Sequence, residues 1–524
     1  MATPELRTPT WINYWGWGSG DMLGAGAQAV ITGWLAYFFI TFCGLSAVET
    51  GLILGLPRLL EAITCPLIGY ISDNLRHTWV GRRIGRRKIF LILTIPLLPS
   101  FALIFVTGQT FAYYLTTFVF FEFLYTMFLI PWETLAAEMT KDYGKKAKFA
   151  GARMLIAQSS AILASYLPTL IINHFGGKDS PGTFLIMAAI FGGLFSLVVL
   201  LVVLFTWERP YTEAEKLIQP EPMDWTKAAL IPVNMFRDLF STLRIKAFRQ
   251  HLSLYLGGYI SQDIFNTAFP LFVATVMMGA TLVISQLMTT MYVAQLVSVM
   301  IAINVVIRTG PTAAYRMAIG FVGAALLLFL AFYLIRPAGF AEGLTAMGGN
   351  LFSAANPMVL FWLFVPIILA GLGRGTLNFV PWSVYNYLPD IDEAVTGQRR
   401  EGIFAGVMTF VRKIAQSGAI VVTTSLIGLG GYVSADKAHP GATVVQSPEA
   451  VRAVVLVMVG GPILVMLWGL VVSWSFRLNA RTHQVLIHEV ERLRAGETQA
   501  ESAESRAIVE NLTGWKFERL WGRG

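Results

Sequence analysis

Residues 46–73 read SAVETGLILGLPRLLEAITCPLIGYISD. Coiled at 1.5 Å per residue, this stretch is long enough to cross the roughly 30 Å hydrocarbon core of a bilayer. It nevertheless carries Arg58 and Glu61 near its middle, three positions apart and so on one helical face. Charge at that depth is expensive and turns toward a bundle interior or a water-filled cavity, not toward lipid. The stretch therefore reads as a membrane-spanning helix with a polar inner face.

The rest of the chain has the same character. Of 524 residues, 55% are hydrophobic and only 13% charged, against about 25% charged in soluble domains. The mean hydropathy is +0.61. Spans are predicted at 17–43, 46–73, 88–107, 111–139, 149–174 and 182–206, then at 251–279, 281–307, 316–335, 357–388, 402–430 and 450–476. The net charge of +8 sits in alternate loops. One side has Arg76, Arg82, Arg83, Arg86, Arg87 and Lys88, then Lys141, Lys145, Lys146 and Lys148, then Arg308, Arg316, Arg399 and Arg400; the other has little beyond Lys178, Arg336 and Lys437. That asymmetry places both termini in the cytoplasm and speaks against nucleic acid as a partner. An all-α membrane protein of twelve helices in two six-helix halves is expected: an N-terminal bundle over 1–206, a cytoplasmic linker over 207–250, a C-terminal bundle over 251–476 and a cytoplasmic tail over 477–524. Paired halves of this kind build the major facilitator fold, with substrate near the midplane.

Several chemistries are excluded. There is no P-loop pattern. The histidines (His77, His174, His251, His439, His483 and His488) lie in loops, at helix ends or in the tail. No His/Cys/carboxylate group has metal-ligand spacing, and Cys43 and Cys65 make no disulfide framework. No cleaved signal peptide, enzyme activity, resident cofactor or metal is expected. The partners expected are a small-molecule solute and the lipid bilayer, for a monomer in a bacterial inner membrane.

The candidate charges within spans are Asp21, Arg58, Glu61, Glu122, Glu133, Arg153, Asp263, Arg374, Arg412 and Lys413. Arg58 and Glu61 form either a structural ion pair or a titratable, ion-binding acid governed by nearby cations. Arg153 is close enough to a span end to snorkel. Arg412 and Lys413 are too deep to reach water, so at least one should face a cavity. Asp263 and Asn266 share a face and contact either solute or a neighbouring helix. Glu122 is a candidate for interhelical bonding. Trp132, between Pro131 and Glu133, either stacks on a flat ligand or packs.

Four stretches carry a resemblance. WGSGDMLG (17–24), EAITCPLIGYISDNLRHTWVGRRIGRRK (61–88), PWETLAAEMTKDYGKKAKFAGAR (131–153) and PWSVYNYLPDIDEAVTGQRREGIFAGVMTFVRK (381–413) resemble the signature segments of the glycoside–pentoside–hexuronide:cation symporters. The resemblance implies a major facilitator fold in which a cation drives solute uptake by alternating access. It makes Arg58, Glu61, Thr64 and Thr126 cation-coupling residues. It puts Arg153 and Lys413 in the substrate and coupling region, which Asp21, Trp132, Glu133, Asp263 and Asn266 complete as candidates. Asp73 with Arg82, Arg83, Arg86 and Arg87 resembles the cytoplasmic gating motif.

The chain also departs from the sodium-coupled sugar members. A second acid one turn after the first is Cys65 here, and three further acids correspond to Ala25, Leu129 and Tyr387. Sodium wants several oxygen ligands, whereas a proton needs one acceptor. The expectation is proton symport through Glu61, with Na⁺ coupling or uncoupled transport as alternatives. A glycoside or hexuronide is the expected cargo. A lysolipid-like amphiphile, or a receptor or scaffold that transports nothing, are the other readings.

Overall fold

The structure, a computed structural model, describes residues 8–75, 78–140, 143–175, 181–208, 240–279, 281–346, 356–385, 387–397, 401–433 and 445–521, with isolated positions between 226 and 237. Every regular element among them is helical. The first span is broken into α1 (Trp11–Gly18), α2 (Asp21–Val30), a π-helical turn (Ile31–Leu35) and α3 (Ala36–Thr41). The second is α4 (Ala47–Asn74), which starts on a capping box: Ser46 Oγ accepts from Glu49 N at 3.1 Å while the Glu49 carboxylate accepts from Ser46 N at 2.9 Å. A short α5 (Trp79–Ile84) leads into α6 (Lys88–Thr94), which continues as a 3₁₀ segment (Leu98–Phe105) bent by 41°.

Then come α7 (Phe111–Met139), α8 (Tyr143–His174) and α9 (Gly182–Phe205), followed by α10 (Lys246–Thr275), α11 (Thr281–Thr309), α12 (Pro311–Ile335), α13 (Phe340–Ala346), α14 (Pro357–Tyr385), α15 (Leu388–Thr396), α16 (Glu401–Leu429) and α17 (Pro448–Ser475). The tail forms α18 (Ala480–Arg494) and α19 (Ala503–Thr513). Among the described residues, nine helices are long and apolar enough to cross a membrane, and the bent pair makes a tenth. Two more, α10 and α16, have the length but fall short on apolar composition, because Asp263, Arg412 and Lys413 lie in their middles. These make the twelve spans the sequence predicts.

The chain clusters into two units. Unit 1 comprises residues up to 231 together with 273–289 and 420–453, and unit 2 the remainder. Unit 1 has an aromatic core in which Phe38 meets Phe105 at 5.0 Å and Phe184 at 5.2 Å, while Phe101 meets Phe121 at 4.8 Å. Unit 2 gathers Phe265, Phe269 and Phe272 around Phe329. Close approach of α14 to α11 demands glycine. A Cβ on Gly371 would fall 2.5 Å from the Met291 carbonyl oxygen, and one on Gly375 would collide with that of Gln295.

The tail, to which sequence reading assigned no chemistry, packs against α15. Leu486, Val490, Leu493, Val509, Leu512 and Phe517 are buried, the His483 and Asp390 side chains meet at 2.8 Å, and Arg494 Nε donates to Glu393 at 2.8 Å.

Candidate functional site

Unit 1 has two charge clusters. In the first, Arg58 and Glu61 share the inner face of α4 as the three-residue spacing requires. Arg58 Nη1 donates to Glu61 Oε2 at 3.1 Å and to Glu122 Oε2, from α7, at 2.9 Å. Nη2 donates to Gln28 Oε1 of α2 at 2.7 Å. All three charged residues are 2% exposed. Two carboxylates thus converge on a single guanidinium nitrogen in a water-poor setting. Their like charges repel while both are drawn to the one guanidinium. Thr126 Oγ1 donates to its own helix at Glu122 O, 2.9 Å away, and Thr64 Oγ1 to Glu61 O at 3.4 Å. Each hydroxyl proton is used along its own helix.

In the second cluster Arg153 of α8 repeats the arrangement. Its Nε donates to Asp21 Oδ2 at 2.9 Å and its Nη2 to Glu133 Oε1 at 2.8 Å. The guanidinium also lies 4.7 Å from the Trp132 ring centre. Trp132 is fully buried, with Trp17 at 5.2 Å and Phe128 at 5.5 Å in stacked contact. The indoles of Trp17 and Trp132 each donate to the other's carbonyl, at 2.9 and 2.8 Å. Of the two readings of Trp132 the geometry agrees with packing: its ring is taken up by protein, and it braces Arg153. Arg153 is held by two acids and stays 34% exposed in its side chain.

Unit 2 has the opposite balance. Asp263 of α10 is held by Arg412 of α16, Nη1 to Oδ2 at 2.7 Å and Nη2 to Oδ1 at 2.9 Å, a bidentate pair. Its neighbour Asn266 takes a hydrogen bond from Arg374 Nη1 of α14 at 2.8 Å. One turn away Gln262 Nε2 donates to Asn378 Oδ1 at 2.8 Å. Lys413 lies half-buried on α16.

At the basic loop edge of unit 1, Arg86 and Arg87 both pair with Glu138, the latter at 3.1 Å. The Glu208 carboxylate accepts from the backbone N–H groups of Arg86, Arg87 and Lys88 at 3.0, 2.9 and 2.7 Å, capping the positive end of α6. Arg83 lies over the Trp79 ring at 5.3 Å, and Arg82 is exposed. The side chain of Asp73 lies outside the described residues. Sequence reasoning missed Gln28, Glu138 and Glu208. It weighed Glu122 only as an interhelical bond and named Arg374 without giving it a role.

The model of the MFS/sugar transport protein family matches residues 16–480. The chain is 24% identical over 546 residues to an uncharacterised symporter of Synechocystis sp., covering 92% of this chain and 96% of that one. It is 21% identical over 511 residues to a glucuronide carrier protein homolog of Escherichia coli, with the same 92% and 96% coverage. A putative glycoside/cation symporter of E. coli is 28% identical over 204 residues, 38% of this chain and 43% of that one. In fold the chain is similar to the crystal structure of the nucleoside transporter NupG, with a TM-score of 0.58 and 13% identity over 88% of this chain and 99% of that one. Signature segments, helical architecture and family match agree: the chain belongs to the MFS/sugar transport protein family, and it is a multi-pass membrane transporter rather than an enzyme.

Proposed function

We propose that this transporter is a proton-coupled symporter of a small polar or anionic organic solute, a glycoside or hexuronide, working by alternating access. One observation carries the reading: Glu61 and Glu122 converge on Arg58 Nη1 at 3.1 and 2.9 Å in the interior of unit 1. Buried like charges sharing one counter-charge form a pair that gains by taking up a single proton and responds to any change in its surroundings. That is what coupling needs, because the ion must bind in one state of the cycle and leave in another. The glycoside and glucuronide names of relatives in E. coli support the solute class. Two carboxylates also keep Na⁺ as the alternative ion, since oxygen ligands suit it. A single copy in a bacterial inner membrane with cytoplasmic termini completes the reading.

Proteoliposomes containing the full chain, given p-nitrophenyl β-D-glucuronide or the matching glucoside, test it. An inward proton gradient is expected to drive accumulation. Glu61→Gln and Glu122→Gln should each abolish accumulation and leave downhill equilibration. Accumulation driven by a sodium gradient alone reassigns the ion. Equilibration with no accumulation under either gradient ends the symport reading.

A further inference from the structure

The middles of α10, α14 and α16 carry one acid, Asp263, and three bases, Arg374, Arg412 and Lys413. Arg412 claims both oxygens of Asp263. Arg374 is 4% exposed, and no carboxylate lies within ion-pair distance of it among the described residues. Of its five N–H donors, one meets Asn266, its face lies 5.5 Å from the Phe265 ring centre, and its Nε has no acceptor. Holding α10 to α14 does not explain the charge. The neutral pair Gln262–Asn378 performs that task one turn away at 2.8 Å, without the penalty of a buried cation.

A second buried orphan lies on the neighbouring helix. On α11 the Gln295 Oε1 atom is buried with no donor. The backbone of Gln295 lies against Gly371 and Gly375, the glycines on either side of Arg374 in the α14 sequence. A carboxylate supplies the acceptor that the guanidinium lacks. Arg153, the other candidate for an anion, already holds Asp21 and Glu133.

We propose that Arg374 recognises a carboxylate on the transported solute, making sugar acids, rather than neutral glycosides, the preferred cargo. Carboxylate oxygens fit the planar fork of a guanidinium in a way a hydroxymethyl group does not. The inference rests on the reading of the chain as a solute transporter, and the experiment separates the two.

Thermal unfolding of the purified full chain is followed against p-nitrophenyl β-D-glucuronide and p-nitrophenyl β-D-glucoside, which differ by carboxylate against hydroxymethyl. The wild type should bind the glucuronide about tenfold or more tighter, the scale on which a polar site rejects a ligand lacking its partner group. Arg374→Gln should erase that preference while leaving glucoside binding within about twofold. Arg374→Lys keeps the charge, loses the fork and should retain only a few-fold preference. Equal affinities in the wild type, or an undiminished preference in either variant, overturn the assignment. If the preference follows Arg374 but no gradient drives uptake, symport alone fails. If gradients drive uptake but the preference ignores Arg374, this inference alone fails.

Discussion

The interiors of the two units are charged in opposite senses. In unit 1 two guanidinium groups, the buried Arg58 and the partly exposed Arg153, are each gripped by two carboxylates from different helices. In the middle of unit 2 the carboxylate of Asp263 is gripped by one guanidinium, while a second, Arg374, meets an amide oxygen and an aromatic face and, among the described residues, makes no ion pair. Pairs of acids around one base attract protons and cations. A base without its acid attracts anions. On the proposed reading, a proton and an anionic solute would each find matching chemistry, the first in unit 1 and the second in unit 2. The lesson is that substrate and ion need not compete for the same side chains.

The sharpest way to break this comparison is to empty the centre of the unit 1 cluster. Arg58→Met strands Glu61 and Glu122 in the interior. It should destabilise the chain by about 3–5 kcal/mol, the usual penalty for removing one partner of a buried ion pair. Denaturant titration in detergent measures the loss. Glu61→Gln and Glu122→Gln, added together to that background, should recover most of it, since the stranded charges then disappear. An Arg58→Met protein as stable as the wild type would mean the cluster is not the charged assembly described.

A more moderate effect sharpens the unit 2 side. Arg412→Gln frees the Asp263 carboxylate, which lies three positions from Asn266, the partner of Arg374. Freed, it competes with a solute carboxylate for the Arg374 fork. Affinity for p-nitrophenyl β-D-glucuronide should fall about tenfold, equivalent to about 1.4 kcal/mol, with the glucoside scarcely affected. An equal fall for both probes would point to general damage and not to competition.

Some of this was legible in the sequence, and the boundary is physical. Periodicity reports which residues share a face of one helix, so Arg58 with Glu61 and Asp263 with Asn266 could be read directly. It does not report which helices meet. Cys65 therefore looked like a missing carboxylate, yet Glu122 arrives at Arg58 from α7 and restores the count of acids. Arg153 looked available to a solute because Asp21 and Glu133 lie on other helices. Apolar length located the spans, including α10 and α16, whose polar inner faces dilute their hydropathy. Nothing in the composition of residues 31–35 announced the π turn of the first span.

The smallest expected effect concerns the part of unit 2 where the tail meets α15. Arg494 pairs with Glu393 but is 52% exposed in its side chain, so water and salt screen the pair and its loss should be worth only about 0.5 kcal/mol. The tail is held chiefly by burial of Leu486, Val490 and Leu493 on α18 and Val509 and Leu512 on α19, an apolar contribution that salt does not weaken. Arg494→Ala should accordingly leave the tail as resistant to limited proteolysis as in the wild type, at low and at high salt. It should also leave the glucuronide preference intact, because the charge asymmetry of the two interiors lies elsewhere in the chain. A tail that becomes cleavable in Arg494→Ala would show that electrostatics, and not its apolar core, docks it against α15. The opposite charge of the two interiors would then have a third counterpart built from the acids of α15 and the bases of the tail.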